Sequence, residues 1–183
     1  MKLIILDRDG VINEDSPAYI KTPDEWNPIA GSLEALARLS NAGYRVVVTS
    51  NQSGIDRGLF DFHTLNRIHE KMHRLAHEAG GNIEAVFFCS DRDDANPQRK
   101  PNPGMLEDVA RRLHIDLQGV PMIGDSLKDI QAAQAVGARA ILVRTGNGER
   151  TLTKLDRKLR VEIFADLAEA VDTLLAEDYA TRG

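Results

Sequence analysis

The sequence predicts an open, doubly wound α/β fold on a mainly parallel sheet, and three observations predict it. Short apolar runs alternate with amphipathic stretches along the 183 residues. The runs are apolar on both faces, as strands of a sheet covered on both sides are. Polar and charged clusters stand directly after the runs, at the carboxyl ends of strands where such folds bind ligands.

In chain order, the candidate strands are Leu3–Leu6, Arg45–Thr49, Ala85–Phe88, Pro121–Ile123 and Ala140–Val143, all short and rich in β-branched, aromatic or other apolar residues. Helical patterns fall between them at Ser32–Asn41, Thr64–Ala79, Gly104–Leu113 and Leu127–Val136, and Gly43 and Gly137 stop two of these helices. A possible edge strand, Val161–Phe164, precedes a last helix at Asp166–Ala176, and the terminal segment Glu177–Gly183 is expected to fray. The β-α alternation without a linker or repeat predicts a single domain over residues 1–183.

Composition narrows the function. A net charge of −5 supplies no basic field for nucleic acid, so phosphate affinity must come from a few placed residues or a metal. One cysteine, Cys89, excludes an intramolecular disulfide and suits a reducing compartment. The opening apolar run ends at Asp7, too short for a leader or a membrane span, so a cytoplasmic protein without a membrane partner is expected.

The strand ends carry the chemistry. After the first strand stands Asp7-Arg8-Asp9-Gly10. Residues two apart on extended chain share a face, so Asp7 and Asp9 converge while Arg8 turns away; the bland reading is a solvated turn. The second strand ends Ser50-Asn51-Gln52-Ser53-Gly54, a phosphate cradle or a common polar turn. Arg99 and Lys100 stand at a proline-stiffened helix entry, as phosphate partners or as a solvated basic pair. The fourth strand ends at Asp125, with Asp129 four residues on; Asp125 also reads as a helix N-cap. Three strand-end carboxylates and a lysine together are poorly explained by chance.

Asp7-x-Asp9-Gly-Val, Ser50, Lys100 and Gly124-Asp125-x-x-x-Asp129 resemble, in order and spacing, the four motifs of the haloacid-dehalogenase (HAD) phosphatases. Within that superfamily DRDGVIN, SNQSGI, RKPNPGM, GDSLKDIQAA and LVRTGNG resemble the heptose bisphosphate 7-phosphatases, with the histidinol-phosphate phosphatases as relatives. The resemblance implies a HAD-like Rossmannoid fold without a separate cap domain, since neither the first loop nor the loop before Gln98 is long enough to fold as a lid. It implies Asp7 as nucleophile, Asp9 as general acid and base, and Ser50 and Lys100 on the transferring phosphoryl group. It implies Mg²⁺ held by Asp7, the Asp9 carbonyl and Asp125, with Asp129 in support. Asp15, Ser16, Tyr19, Asn51, Gln52 and Arg99 become candidate contacts to a small sugar phosphate, in the route to lipopolysaccharide core heptose. The alternatives are histidinol phosphate as substrate or a catalytically retired phosphate-binding regulator; a monomer is expected.

Many of these relatives hold a structural zinc through a C-x-H…C-x-C pattern. Here Cys89 keeps the first position, but Asp91, Asn96 and Gln98 take the others, so no structural zinc is expected. His69, His73 and His77, spaced along one helix, read as a solvated face rather than a metal site; Trp26 reads as a packing anchor, and Gly146-Asn147-Gly148 as a turn.

Overall fold

The computed structural model describes residues 2–156 and 159–181. Its elements run β1 (Lys2–Leu6), α1 (Ser32–Asn41), β2 (Tyr44–Asn51), α2 (Phe62–Glu78), β3 (Ala85–Cys89), α3 (Gly104–Leu113), β4 (Pro121–Gly124), α4 (Leu127–Ala135), β5 (Arg139–Val143), α5 (Gly148–Leu152), β6 (Glu162–Phe164) and α6 (Leu167–Ala180). The strands pair in parallel in the order β3-β2-β1-β4-β5-β6. The predicted doubly wound α/β fold is therefore present, with β1 inside the sheet and the chain reversing its direction of winding between β1 and β4.

Alternation along the strands fills two cores. Ile4, Leu6, Val46 and Val48 pack on one face with Leu36 and Leu39 of α1, Ile68 and Met72 of α2 and Val171 and Leu174 of α6. Leu3, Ile5 and Val47 pack on the other with Leu106 and Val109 of α3 and Ile130 and Ala133 of α4. Burying each of the larger aliphatic side chains among these contributes about 1.5–3 kcal/mol. Trp26 is wholly buried in the first core and anchors the long loop after β1, as expected.

Local chemistry explains where the elements depart from expectation. Asp61 caps α2 by accepting from the Thr64 amide at 2.7 Å, so the helix starts at Phe62. α6 runs to Ala180, well into the Glu177–Gly183 segment expected to fray. Glu177 binds Arg139, and Asp178 binds both Lys2 and the Tyr44 hydroxyl, which ties the last turns to the sheet. Arg182 and Gly183 lie outside the described residues. Gly148 is not merely part of a turn: it opens the short helix α5 with Asn147 as its N-cap.

Candidate active site

The carboxyl ends of β1, β2, β4 and β5 enclose a cavity of about 260 Å³. Asp7, Asp9, Asp15, Ser16, Tyr19, Ser50, Asn51, Gln52, Lys100, Asp125 and Asp129 all line it, so every site residue read from the sequence reaches the wall except Arg99. Ser126, Lys128 and Asn147 line it as well and were missed.

Asp7 continues β1, its amide donating to the Ile123 carbonyl at 2.9 Å, which fixes the carboxylate beside the end of β4. Lys100 is almost fully buried and donates to Asp7 at 3.0 Å, to Asp129 at 2.6 Å and to the Thr49 carbonyl at 2.7 Å. The Asn51 amide exchanges two hydrogen bonds with the Lys100 backbone, at 2.9 and 3.0 Å, and so holds this lysine in place from the end of β2. Burial alone would lower the Lys100 pKa, but the carboxylates of Asp129 and Asp7 outweigh it and the net shift is upward.

Ser126, not Asp125, caps α4: Ser126 and Asp129 form a reciprocal capping box. Asp125 is thereby left at the strand end to face the cavity. One of its oxygens accepts from the Asn147 amide at 2.7 Å and from the Asn147 side chain at 3.2 Å, and its carbonyl accepts from Thr151 at 2.8 Å. The fifth strand end thus belongs to the site, and the signal that could have found it was the rule already applied to the other four.

Two glycines let these groups approach. A Cβ on Gly10, whose φ is +81°, would lie 2.1 Å from an Asp125 oxygen, and one on Gly124 would lie 2.2 Å from the Asp129 Cβ.

Asp7, Asp125 and Asp129 each offer an oxygen within 4.8 Å of the others. Burial first, then the neighbouring carboxylate of Asp129, raises the pKa of Asp7 well above its usual range and pushes Asp125 up to about 7. Carboxylates this crowded and this dry fit a hard divalent cation. Asp129 already accepts from Lys100 on one oxygen and from the Ser126 amide on the other, which suits a supporting position.

Gln52 bridges Ser50 Oγ at 2.7 Å and an Asp9 oxygen at 2.9 Å. Asp15 accepts from the Asn147 side chain at 2.7 Å, and Tyr19 holds a left-handed φ of 67° in the loop above. Arg99 is turned into its own loop, donating to Asp94 at 2.9 Å and to the Asp91 carbonyl at 3.1 Å. Asp94 Oδ1 is shared with Lys128 at 2.8 Å. In that loop Asp91 accepts from the Asn96 side chain at 2.9 Å. His69 corrects a sequence expectation: it is buried against Arg8 and Phe88 rather than part of a solvated face, while His77 is exposed.

A HAD-hydrolase-like family model matches residues 98–170. The D-glycero-β-D-manno-heptose-1,7-bisphosphate 7-phosphatase of Bordetella bronchiseptica is 52% identical over 178 residues, spanning 97% of this chain and 99% of that protein. The protein of the same name from Pseudomonas putida is 49% identical, spanning 96% of this chain and 100% of its own. Among solved structures, the B. bronchiseptica D,D-heptose 1,7-bisphosphate phosphatase complexed with magnesium and phosphate superposes with a TM-score of 0.94, covering 97% of this chain and 99% of that one. The Burkholderia thailandensis D,D-heptose 1,7-bisphosphate phosphatase, 46% identical, superposes with a TM-score of 0.78 over 96% of this chain and 99% of that one. With identity and fold shared over nearly the whole of both chains, the chain belongs to the heptose bisphosphate phosphatase family of HAD-like phosphatases.

Proposed function

We propose that this chain is a magnesium-dependent phosphatase that removes the 7-phosphate of D-glycero-D-manno-heptose 1,7-bisphosphate, acting as a single cytoplasmic domain and a monomer. The observation that carries the reading is the buried Asp7–Lys100–Asp129 ion cluster at the strand ends, in a chain full-length similar to phosphatases of that name.

A phosphate monoester resists attack because its charge repels nucleophiles, so catalysis rests on position and charge neutralisation. Asp7 attacks phosphorus, and the bond from phosphorus to the sugar oxygen breaks. Asp9 gives that oxygen a proton. Water then attacks phosphorus, Asp9 takes its proton, and Asp7 and inorganic phosphate are released. Ser50 and Lys100 hold the phosphoryl oxygens through both steps. Asp7, Asp125 and the Asp9 carbonyl would hold the cation, which supplies positive charge against the phosphoryl group.

The far phosphate meets Lys128 on the cavity wall, with Arg99 behind it through their shared carboxylate, Asp94. The Asp91–Asn96 hydrogen bond orders the loop without a structural zinc. Phosphate release from both anomers of heptose bisphosphate, measured beside histidinol phosphate, tests the substrate: a preference for histidinol phosphate refutes it. One tightly held zinc per chain on metal analysis refutes the zinc-free loop.

A further inference from the structure

Arg8 is fully buried, and its fork grips the carboxylate of the next residue. Nε donates to Asp9 Oδ1 at 3.0 Å and Nη2 to Asp9 Oδ2 at 2.9 Å. Asn13 adds a donor to Oδ1 at 2.9 Å, and Gln52 one to Oδ2 at 2.9 Å. Each oxygen therefore has two donors. Of the three residues concerned, Gln52 lines the cavity, whereas Arg8 and Asn13 are buried and do not.

The remaining guanidinium nitrogen, Nη1, lies 3.3 Å from Nε2 of His69 on α2. Burial first, then the Arg8 charge, lowers the His69 pKa to about 3, so the ring is neutral and can accept at Nε2. His69 is itself wedged edge-on against Phe88 of β3. A buried cation is costly unless paired, and Arg8 is paired with the group that must move protons.

We propose that Arg8 is a positioning residue for proton transfer: its fork, backed by His69, holds the Asp9 carboxylate while Gln52, the one of these donors on the cavity wall, gives up its place on Oδ2 to the leaving oxygen and later to the attacking water. A bidentate fork fixes both the plane and the position of a carboxylate, which a lysine cannot do. The inference rests on the phosphatase reading above, in which Asp9 is the acid and base.

The test separates leaving groups. An alkyl phosphate needs its leaving oxygen protonated, whereas a nitrophenyl phosphate does not, yet both need Asp9 to activate water. In Arg8→Met, kcat on an alkyl phosphate is expected to fall about 100-fold with KM within two-fold of the parent. With the nitrophenyl ester the first turnover stays fast, giving a burst near one nitrophenol per chain before a slow steady state. Arg8→Lys, which keeps the charge and loses the fork, is expected to show the same burst. Full recovery of kcat in Arg8→Lys, or equal losses on both esters without a burst, overturns the proposal.

Should Arg8→Met fail to fold, His69 carries the test. His69→Phe keeps the ring and removes the acceptor, and is expected to show the burst with a kcat loss of several-fold; His69→Gln keeps an acceptor and recovers. No difference between the two overturns the proposal. Asp9→Asn is run alongside: absence of the leaving-group pattern there removes the reading of Asp9 as acid and base, whereas its presence in Asp9→Asn and absence in Arg8→Met removes this inference alone.

Discussion

Two clusters built from the same residue types sit a short way apart and behave oppositely. At the strand ends Asp7, Asp125, Asp129 and Lys100 are buried, and the carboxylates of Asp7 and Asp125 are pushed upward in pKa. In the loop after β3 the exposed Asp94 meets both Arg99 and Lys128, and hydrogen bonds from Lys128 and then Arg99 lower its pKa to about 2. Hydrogen bonds from Asn96 and the Asp93 amide likewise lower Asp91. Exposed, an aspartate beside cations is an ordinary ionised group that orders a loop. Buried among its own kind, its charged form is disfavoured, which suits the nucleophile and cation-ligand roles proposed above. Burial, more than residue type, separates the two roles.

The largest effect that sharpens this contrast is expected from Asp7→Asn. Asparagine keeps the shape and removes the proposed nucleophile, so phosphate release should drop below about 10⁻⁴ of the parent while circular dichroism stays native. Near-normal turnover in a folded variant would show that the buried cluster is structural.

Lys100→Met comes next. It strands Asp7 and Asp129 without their cation, and urea unfolding at pH 7.5 without divalent metal should register a loss of about 3–5 kcal/mol. A loss no larger than that of an exposed lysine would place the cluster in effectively wet surroundings.

On the loop side, Lys128→Ala and Arg99→Ala should each raise KM for heptose bisphosphate about ten-fold, with a small monophosphate hydrolysed as before. Equal losses on both substrates would assign these cations to the transferring phosphoryl group instead.

The smallest effect concerns pH. Because the folded pKa values of Asp7 and Asp125 lie above the unfolded value of about 3.9, their contribution to metal-free stability is complete below that value and fades as pH rises towards the Asp125 value of about 7. Protons and cation compete for the same oxygens, so the rise in Tm on adding magnesium should be larger at pH 8 than at pH 5.5. An equal rise at both pH values would count against these carboxylates as the binding site.

The fold and most of the cavity wall were legible in the sequence because a strand end is a local signal. An apolar run followed by Asp7, Ser50 or Asp125 places the side chain without knowledge of its neighbours. What failed was tertiary. Arg8 follows the alternation rule in leaving the cavity, but nothing in the chain says that its fork returns to Asp9. His69 sits at helical spacing with His73 and His77, and only the packing of α2 against the sheet separates the buried one from the exposed. Arg99 stands beside Lys100 in sequence, but Asp94 and the Asp91 carbonyl hold its guanidinium inside the loop. Asn147 was hidden because a Gly-Asn-Gly run looks like a turn when the helix it opens spans just Gly148–Leu152.

The place of β1 in the strand order has a consequence for how the molecule comes apart. With β2 on one flank and β4 on the other, the amides leading to Asp7 are screened from solvent by ladders on both sides, and the Asp7 amide itself is bonded to Ile123. Fraying of the outer strands β3 and β6 leaves this segment closed, so its amides exchange with deuterium through the rare global opening rather than through local fluctuation. Catalytic competence and the folded population should therefore disappear together along a denaturant series, with no range in which an intact body carries a dislocated Asp7.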